Sequence, residues 1–186
     1  MNPPRAALVR AAAVIRRGGV VAWPAEACYG LGCDPLNRAA LRRILRIKGR
    51  PAAAGLIVVA ADFAQLAPLL APLPAAVKKK VAAAWPGPET WLLPARANVP
   101  RLLRGRHKTL AVRVTAHPPA AALCRQAGTA LVSTSANRHG RRPLGAAIAV
   151  RRGFGRNVDF VVPGRTAGLA RVTRIRDGAS GAVLRA

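Results

Sequence analysis

Apolar residues fall at two spacings along the chain, and the alternation between them predicts the element order. Residues 5 to 17 carry a helical pattern that ends at Gly18-Gly19. "VVAW", 20 to 23, is a short strand stopped by Pro24, and "PAEACYGLGCDP" reads as a loop between prolines. Asn37 is placed to cap a helix over 38 to 48, and "GLIVVA", 55 to 60, is a fully apolar strand. Helices are predicted over 62 to 70 and 74 to 84, on either side of a Pro-rich turn. "ETWLLPA" and "TLAVRV" read as strands, 118 to 127 as a helix, "TALVST" as a strand and 144 to 152 as a helix. Strands at 158 to 162, 172 to 176 and 181 to 185 close the chain. Strands alternating with helices predict an α/β fold, made mixed by extra hairpins. No internal repeat or separating linker is visible, so residues 1–186 are expected to form one domain.

The helix over 38 to 48 has a polarity that matters for chemistry. Leu41, Ile44 and Leu45 form its buried stripe, and Arg38, Arg42 and Arg46 lie opposite. Lys48 is seven residues after Leu41 and therefore falls on the buried side, at the helix end. Two readings fit it: a favourable charge at a helix C-terminus, or a cation aimed inward. With Arg50 it forms a pair suited to grip a phosphate or carboxylate. The run "TALVSTSANRHGRRP", 129 to 143, sends an apolar strand into Ser133, Ser135 and Asn137. Such a row either caps a turn or lets an anion approach hydroxyls and amides.

Composition narrows the chemistry. Of 186 residues, 31 are Lys or Arg against 6 Asp or Glu, a net charge of +25. This field attracts RNA, DNA or nucleotides, and an Arg-rich genomic bias accounts for part of it. The only acids are Glu26, Asp34, Asp62, Glu89, Asp159 and Asp177, with no pair spaced as a carboxylate dyad and no metal motif. Anion stabilisation is favoured over acid–base catalysis by carboxylates. Cys28, Cys33 and Cys124 lack partners for a zinc site or a disulfide framework and are expected to be buried free thiols. Trp23, Trp85 and Trp91 sit in or beside apolar motifs and are expected in the core, and His107, His117 and His139 in solvent. Lys78 to Lys80 read as a solvated face. Glu26 either orients a cation or caps a turn. The longest low-charge stretch, 51 to 77, contains Asp62 and four prolines and is unsuited to a membrane. The N-terminus lacks an apolar run of the secretory type, so a cytoplasmic location is expected.

Six stretches carry a resemblance: "GGVVAWPAEACYGLGCDP", "LRIKGRPAAAGLIVVA", "AWPGPETWLLPA", "KTLAVRVTAHP", "ALVSTSANRHG" and "VTRIRDGASGAVLR". In this order and spacing they resemble the YrdC-like family, in its single-domain bacterial form. The resemblance implies an open twisted mixed sheet flanked by helices, with a deep, positively charged cavity. It implies a synthase that joins L-threonine, bicarbonate or CO2, and ATP into threonylcarbamoyl-adenylate and pyrophosphate, for modification of tRNA. It places nucleotide phosphate on Lys48 and Arg50, the adenylate on Ser135 and Asn137, and further nucleotide contacts on Thr109 and Arg185. These make Lys48, Arg50, Ser135 and Asn137 the implied catalytic set. Arg113, Ser133 and Thr173 fall at positions for the threonyl moiety. Mg2+ would arrive with ATP, no protein metal site being implied. Partners implied are the proteins of the tRNA threonylcarbamoyl-transfer machinery, with double-stranded RNA or tRNA as a further partner. The alternative is a YrdC-fold RNA-binding protein without synthase activity. The chain departs from the family pattern at Ala25, where a Thr is usual, and at Arg138-His139, where Leu-Ser is usual.

Overall fold

The computed structural model describes residues 3–168 and 173–185. Its elements are α1 (Arg5–Arg16), β1 (Val21–Pro24), β2 (Tyr29–Gly32), α2 (Arg38–Lys48), β3 (Ile57–Ala60), α3 (Ala75–Ala84), β4 (Glu89–Pro94) and α4 (Arg101–Arg104). There follow β5 (Thr109–Val114), α5 (Pro118–Ala127), β6 (Leu131–Ser135), α6 (Ala147–Phe154), β7 (Phe160–Val161), β8 (Arg174–Asp177) and β9 (Val183–Arg185). The described strands form one mixed sheet in the order β7-β1-β2-β6-β3-β5-β4-β8-β9. The β3–β5, β1–β7 and β4–β8 pairs are parallel and the rest antiparallel. The α/β expectation, mixed sheet included, holds.

Alternation along the strands gives the sheet two different faces. One face carries Tyr29, Leu31, Val58, Val112, Val132 and Trp91 into a core shared with Leu41, Ile44 and Leu45 of α2. The other face is divided. Toward β1 it carries Val21, Trp23, Val59 and Leu131, which α1 and α5 cover. Further along the same strands the same face carries Ser133, Ser135, Ile57, Ala111 and Thr109, and these are cleft-lining residues instead. Cross-strand register fixes the division: Ile57 pairs with Ser133 on one side and Ala111 on the other, and Gly30 pairs with Ser135.

Two expectations need correction. Residues 62 to 70 form turns rather than a helix, although Leu66, Leu69 and Leu70 are buried as the pattern requires. Pro68 has no N–H to donate and disfavours helical backbone at Ala67, and Asp62 takes the Gln65 N–H at 3.0 Å. The loop assigned to 24 to 35 contains β2, antiparallel to both β1 and β6. Gly32 is there because of space. A Cβ on it would lie 1.9 Å from the Val132 carbonyl oxygen and 2.4 Å from the Trp23 ring. The glycines that suggest a loop are the ones that let this strand press against its neighbours.

Helix α2 is set as its sequence predicts. Asn37 Oδ1 accepts the Ala40 N–H at 2.9 Å. Gly49 closes the helix in the left-handed region at φ 59°. Its N–H reaches Arg46 O and that of Arg50 reaches Leu45 O, both at 3.1 Å.

Candidate functional site

The turn at Gly49 separates the two cations of the Lys-x-Arg triplet. Lys48 is only 3% exposed and Arg50 is half-buried in the cleft wall. The Lys48 ammonium donates to Ser135 O, to Asn137 O at 2.9 Å and to Asn137 Oδ1 at 3.1 Å. Three oxygen acceptors match the three N–H bonds of the charged form. Burial, with the Arg50 charge second, lowers its pKa from 10.5 to about 8. The expected meeting of Lys48 with the Ser-x-Asn segment is therefore direct. Its ammonium lies behind the segment, and Lys48 and Asn137 are not among the residues lining the cleft.

Asn137 is fully engaged in its own loop. Its Oδ1 accepts from Lys48 and, at 2.6 Å, from the Ser135 hydroxyl. Its Nδ2 donates to Arg138 O at 3.1 Å and Arg141 O at 2.7 Å. Four contacts satisfy the amide and fix its orientation.

The cleft on the open sheet face has two halves. The inner half is lined by Ala25, Glu26, Cys28, Arg113, Ser133, Ser135 and Thr173. The outer half is a largely apolar slot of Leu92, Leu103, Ala111, Ile175 and Leu184, with Thr109, Arg104 and His107 in its wall. Arg50, Arg185, Leu56 and Ile57 belong to both. The three ion pairs among the described residues involve neither Arg50 nor Arg185. Among the described residues Arg50 bonds only backbone oxygens, Gly55 O at 3.2 Å and Ala54 O at 3.5 Å, and Arg185 bonds Thr173 O at 3.0 Å. Burial and then the Arg50 charge lower the pKa of Arg185. Two guanidiniums near enough to oppose each other, without a carboxylate between them, suit an anion at the junction of the halves.

At the inner end Arg113 is 6% exposed. Its Nη1 lies 3.0 Å from Glu26 Oε1 and its Nη2 donates to Glu26 Oε2 at 3.4 Å. Its buried Nε has no hydrogen-bond acceptor among the described residues. Thr115 donates to Glu26 Oε1 at 3.2 Å. Burial opposes the Glu26 charge, but Arg113 and the bonds around the carboxylate prevail and hold its pKa below the usual value. Thr173 Oγ1 is 3.3 Å from Thr90 Oγ1. The inner end thus places a buried cation, held by Glu26, beside small hydroxyls in the cleft wall, a setting that suits carboxylate recognition.

The profile of the Sua5, YciO and YrdC proteins, described as "Telomere recombination", matches residues 13–186. The chain belongs to this family. A threonylcarbamoyl-AMP synthase of Nitrosococcus oceani is 56% identical, with 94% of this chain and 95% of that protein covered. The same-named protein of Halorhodospira halophila is 59% identical over 94% and 92%. Among solved structures, E. coli YciO superposes with a TM-score of 0.84 at 26% identity, covering 99% of this chain and 90% of that one. P. abyssi Sua5 complexed with L-threonine gives 0.83 at 34% identity, covering 91% of this chain and 50% of that one. The chain thus spans about half the length of that Sua5 protein. The YrdC-like family expected from the motifs is the family found.

Several residues stand differently from expectation. His117 is 9% exposed rather than solvated, and its Nδ1 has no partner among the described residues. Burial lowers its pKa, and Arg113 adds to this against Glu26. His107 and His139 are exposed. Cys33 and Cys124 are buried, but Cys28 is half-buried and lines the cleft, and burial raises its thiol pKa. Trp23 and Trp91 are core residues, while Trp85 is half-buried. Glu26 resolves to the orienting role. The available hint was that it is one of few acids and adjoins a Pro-bounded segment.

Proposed function

We propose that this chain is a threonylcarbamoyl-AMP synthase, forming threonylcarbamoyl-adenylate and pyrophosphate from L-threonine, bicarbonate or CO2, and ATP. One observation carries the reading: an apolar slot and an Arg113 pocket meet at two arginines without acidic partners, all in one cleft. An adenylate needs these three environments in this order. The base takes the slot beside Thr109, the phosphates take Arg50 and Arg185, and the threonine carboxylate takes Arg113. Ser133 and Thr173 hold the threonyl group, where Ala25 supplies no hydroxyl.

The threonine amine adds to CO2, loses a proton and becomes a carbamate. A carbamate oxygen attacks the α-phosphorus and pyrophosphate leaves. No side chain forms a bond to substrate in this scheme. The barrier lies in alignment and in charge gathering on phosphate oxygens, which preorganised cations and donors lower. Ser135 presents the ledge facing the phosphates. Lys48 and Asn137 anchor that ledge from behind, and Lys48 adds its charge there. Lys48 and Asn137 are therefore positioning residues here, and Arg50 and Ser135 the groups that touch the nucleotide.

A resident Mg2+ site does not fit the donors present. No group of three His, Cys, Asp or Glu side chains occurs among the described residues, and Glu26 is paired with Arg113. In this reading Mg2+ enters as the counter-ion of ATP. The product passes to the tRNA threonylcarbamoyl-transfer machinery. The net charge of +25 favours tRNA or double-stranded RNA as a transient partner. No described helix is long and apolar enough to cross a membrane, and the reading places the enzyme in the cytoplasm with the tRNA that its product goes on to modify.

Calorimetric titration of L-threonine and of ATP, each alone and with the other present, tests the assignment, together with pyrophosphate release. Release is expected only with threonine, bicarbonate and ATP together. Tight RNA binding with no threonine binding would instead support the RNA-binding alternative.

A further inference from the structure

We propose that the chain has a second anion site, outside the substrate cleft, that holds a compact phosphate-dense anion of the pyrophosphate class. A cavity of about 440 Å3 opens beside the C-terminal end of α2, where Arg43, Arg46, Lys48, Arg138, His139 and Asn157 line a hollow over Phe154. It shares no lining residue with either half of the cleft. The residues come from α2, the turn after β6, the end of α6 and the turn that follows it.

The charge balance at this cavity is one-sided. Asp159 is the acid paired here, and it is held by Arg43 at 2.6 and 2.8 Å and by the Val20 N–H at 2.7 Å. Arg46 and Arg138 take part in none of the ion pairs among the described residues. A helix C-terminus ordinarily repels an anion through its open carbonyls. Here Leu45 O, Arg46 O and Lys48 O accept from Arg50, Gly49 and His139 respectively, the last at 2.7 Å. Three of the carbonyls at this helix end are thus already engaged, and the residues lining the cavity include Arg46, Arg138 and His139. The cations converge on a concavity instead of running along a stripe, which suits a small anion better than a polymer backbone.

The site is mechanically joined to the cleft wall. His139 holds the Lys48 carbonyl, Lys48 holds Asn137, and Asn137 holds the Arg138 and Arg141 carbonyls. A diphosphate on Arg46, Arg138 and His139 would brace the same turn that carries the Ser135–Asn137 ledge. That pyrophosphate arises as the product rests on the synthase reading; the anion site itself does not.

The test is calorimetric titration of sodium pyrophosphate into the full chain without ATP or threonine, in wild type and in an Arg50→Gln background that weakens the cleft. Binding is expected to persist in Arg50→Gln. It should weaken at least about tenfold when either Arg46→Ser or the pair Arg138→Leu and His139→Ser is added. Abolition of binding by Arg50→Gln alone, or indifference to both outer changes, overturns the proposal. So does a short RNA duplex that needs the same arginines and is not displaced by pyrophosphate. A chain with the outer site but no threonine-dependent pyrophosphate release would remove the synthase reading and leave this site standing.

Discussion

Arg113 is a cation that burial would oppose if Glu26 were absent. With side-chain exposures of 7% and 17%, the pair lies largely out of water. Removing one partner of such a pair costs about 3–5 kcal/mol because the other charge is left uncompensated. Glu26→Ala should therefore lower the denaturant midpoint by a corresponding amount. It should also raise the threonine dissociation constant, since Arg113 then lacks its orientation. Arg113→Gln should weaken threonine at least about tenfold and leave ATP binding alone nearly unchanged, measured by titration. Lys48 makes a second residue-scale prediction, from pH. Its folded pKa of about 8 lies below the ordinary 10.5, so the unfolded chain binds more protons between these values. Its contribution to stability therefore rises as pH climbs from about 8 toward 10.5. Loss of the ammonium over the same window frees the Ser135–Asn137 ledge and removes a positive charge. ATP affinity measured without threonine should fall above about pH 8. The fall should be absent in Lys48→Arg, whose cation does not titrate there. A flat profile in wild type would mean that Lys48 does not support the nucleotide wall.

Two glycines show that one residue type serves different needs within elements. Gly32 sits where a Cβ would collide with the Val132 oxygen and the Trp23 ring. Gly32→Ala should destabilise by about 3 kcal/mol, the upper end of ordinary overpacking, and disturb the β2–β6 seam that presents Ser135. Gly49 meets nothing within 4 Å but adopts φ 59°. Gly49→Ala should cost only about 1 kcal/mol, from backbone strain. It should nonetheless reduce kcat, because the turn sends Lys48 and Arg50 to opposite sides of the wall. Thermal melts and steady-state rates together separate the two effects. The helices were readable at this scale: Asn37, the Leu41-Ile44-Leu45 stripe and Gly49 mark α2 by local chemistry. Strand β2 was not, because Gly32 answers to Val132, a hundred residues away in sequence.

Across the whole molecule, a sheet face half covered by α1 and α5 leaves the other half as a cleft floor. The partial covering converts alternation along β3, β5 and β6 into a substrate surface. The chain as a whole carries a net charge of +25, mostly from arginine. If tRNA docks on this surface, its affinity should drop steeply and log-linearly with salt. Pyrophosphate release from threonine, bicarbonate and ATP should respond far less, because its cations lie inside the cleft. Filter binding and rate measurements over the same salt series compare the two. Equal salt slopes would place the RNA and the nucleotide on the same cations.

The sequence by itself determined the α/β class, the limits of most helices and strands, the place of Lys48 on the buried side of its helix and the family motifs. These depend on periodicity, capping and residue order, which are local. Only the tertiary structure decided that Lys48 and Asn137 brace the ledge from behind, that half-buried Glu26 and buried His117 lie beside Arg113, and that Arg185 meets Arg50. Each of those facts joins residues far apart in the chain. Their relation is set by strand register and by which sheet face a helix covers, and neither is written in any short stretch of residues.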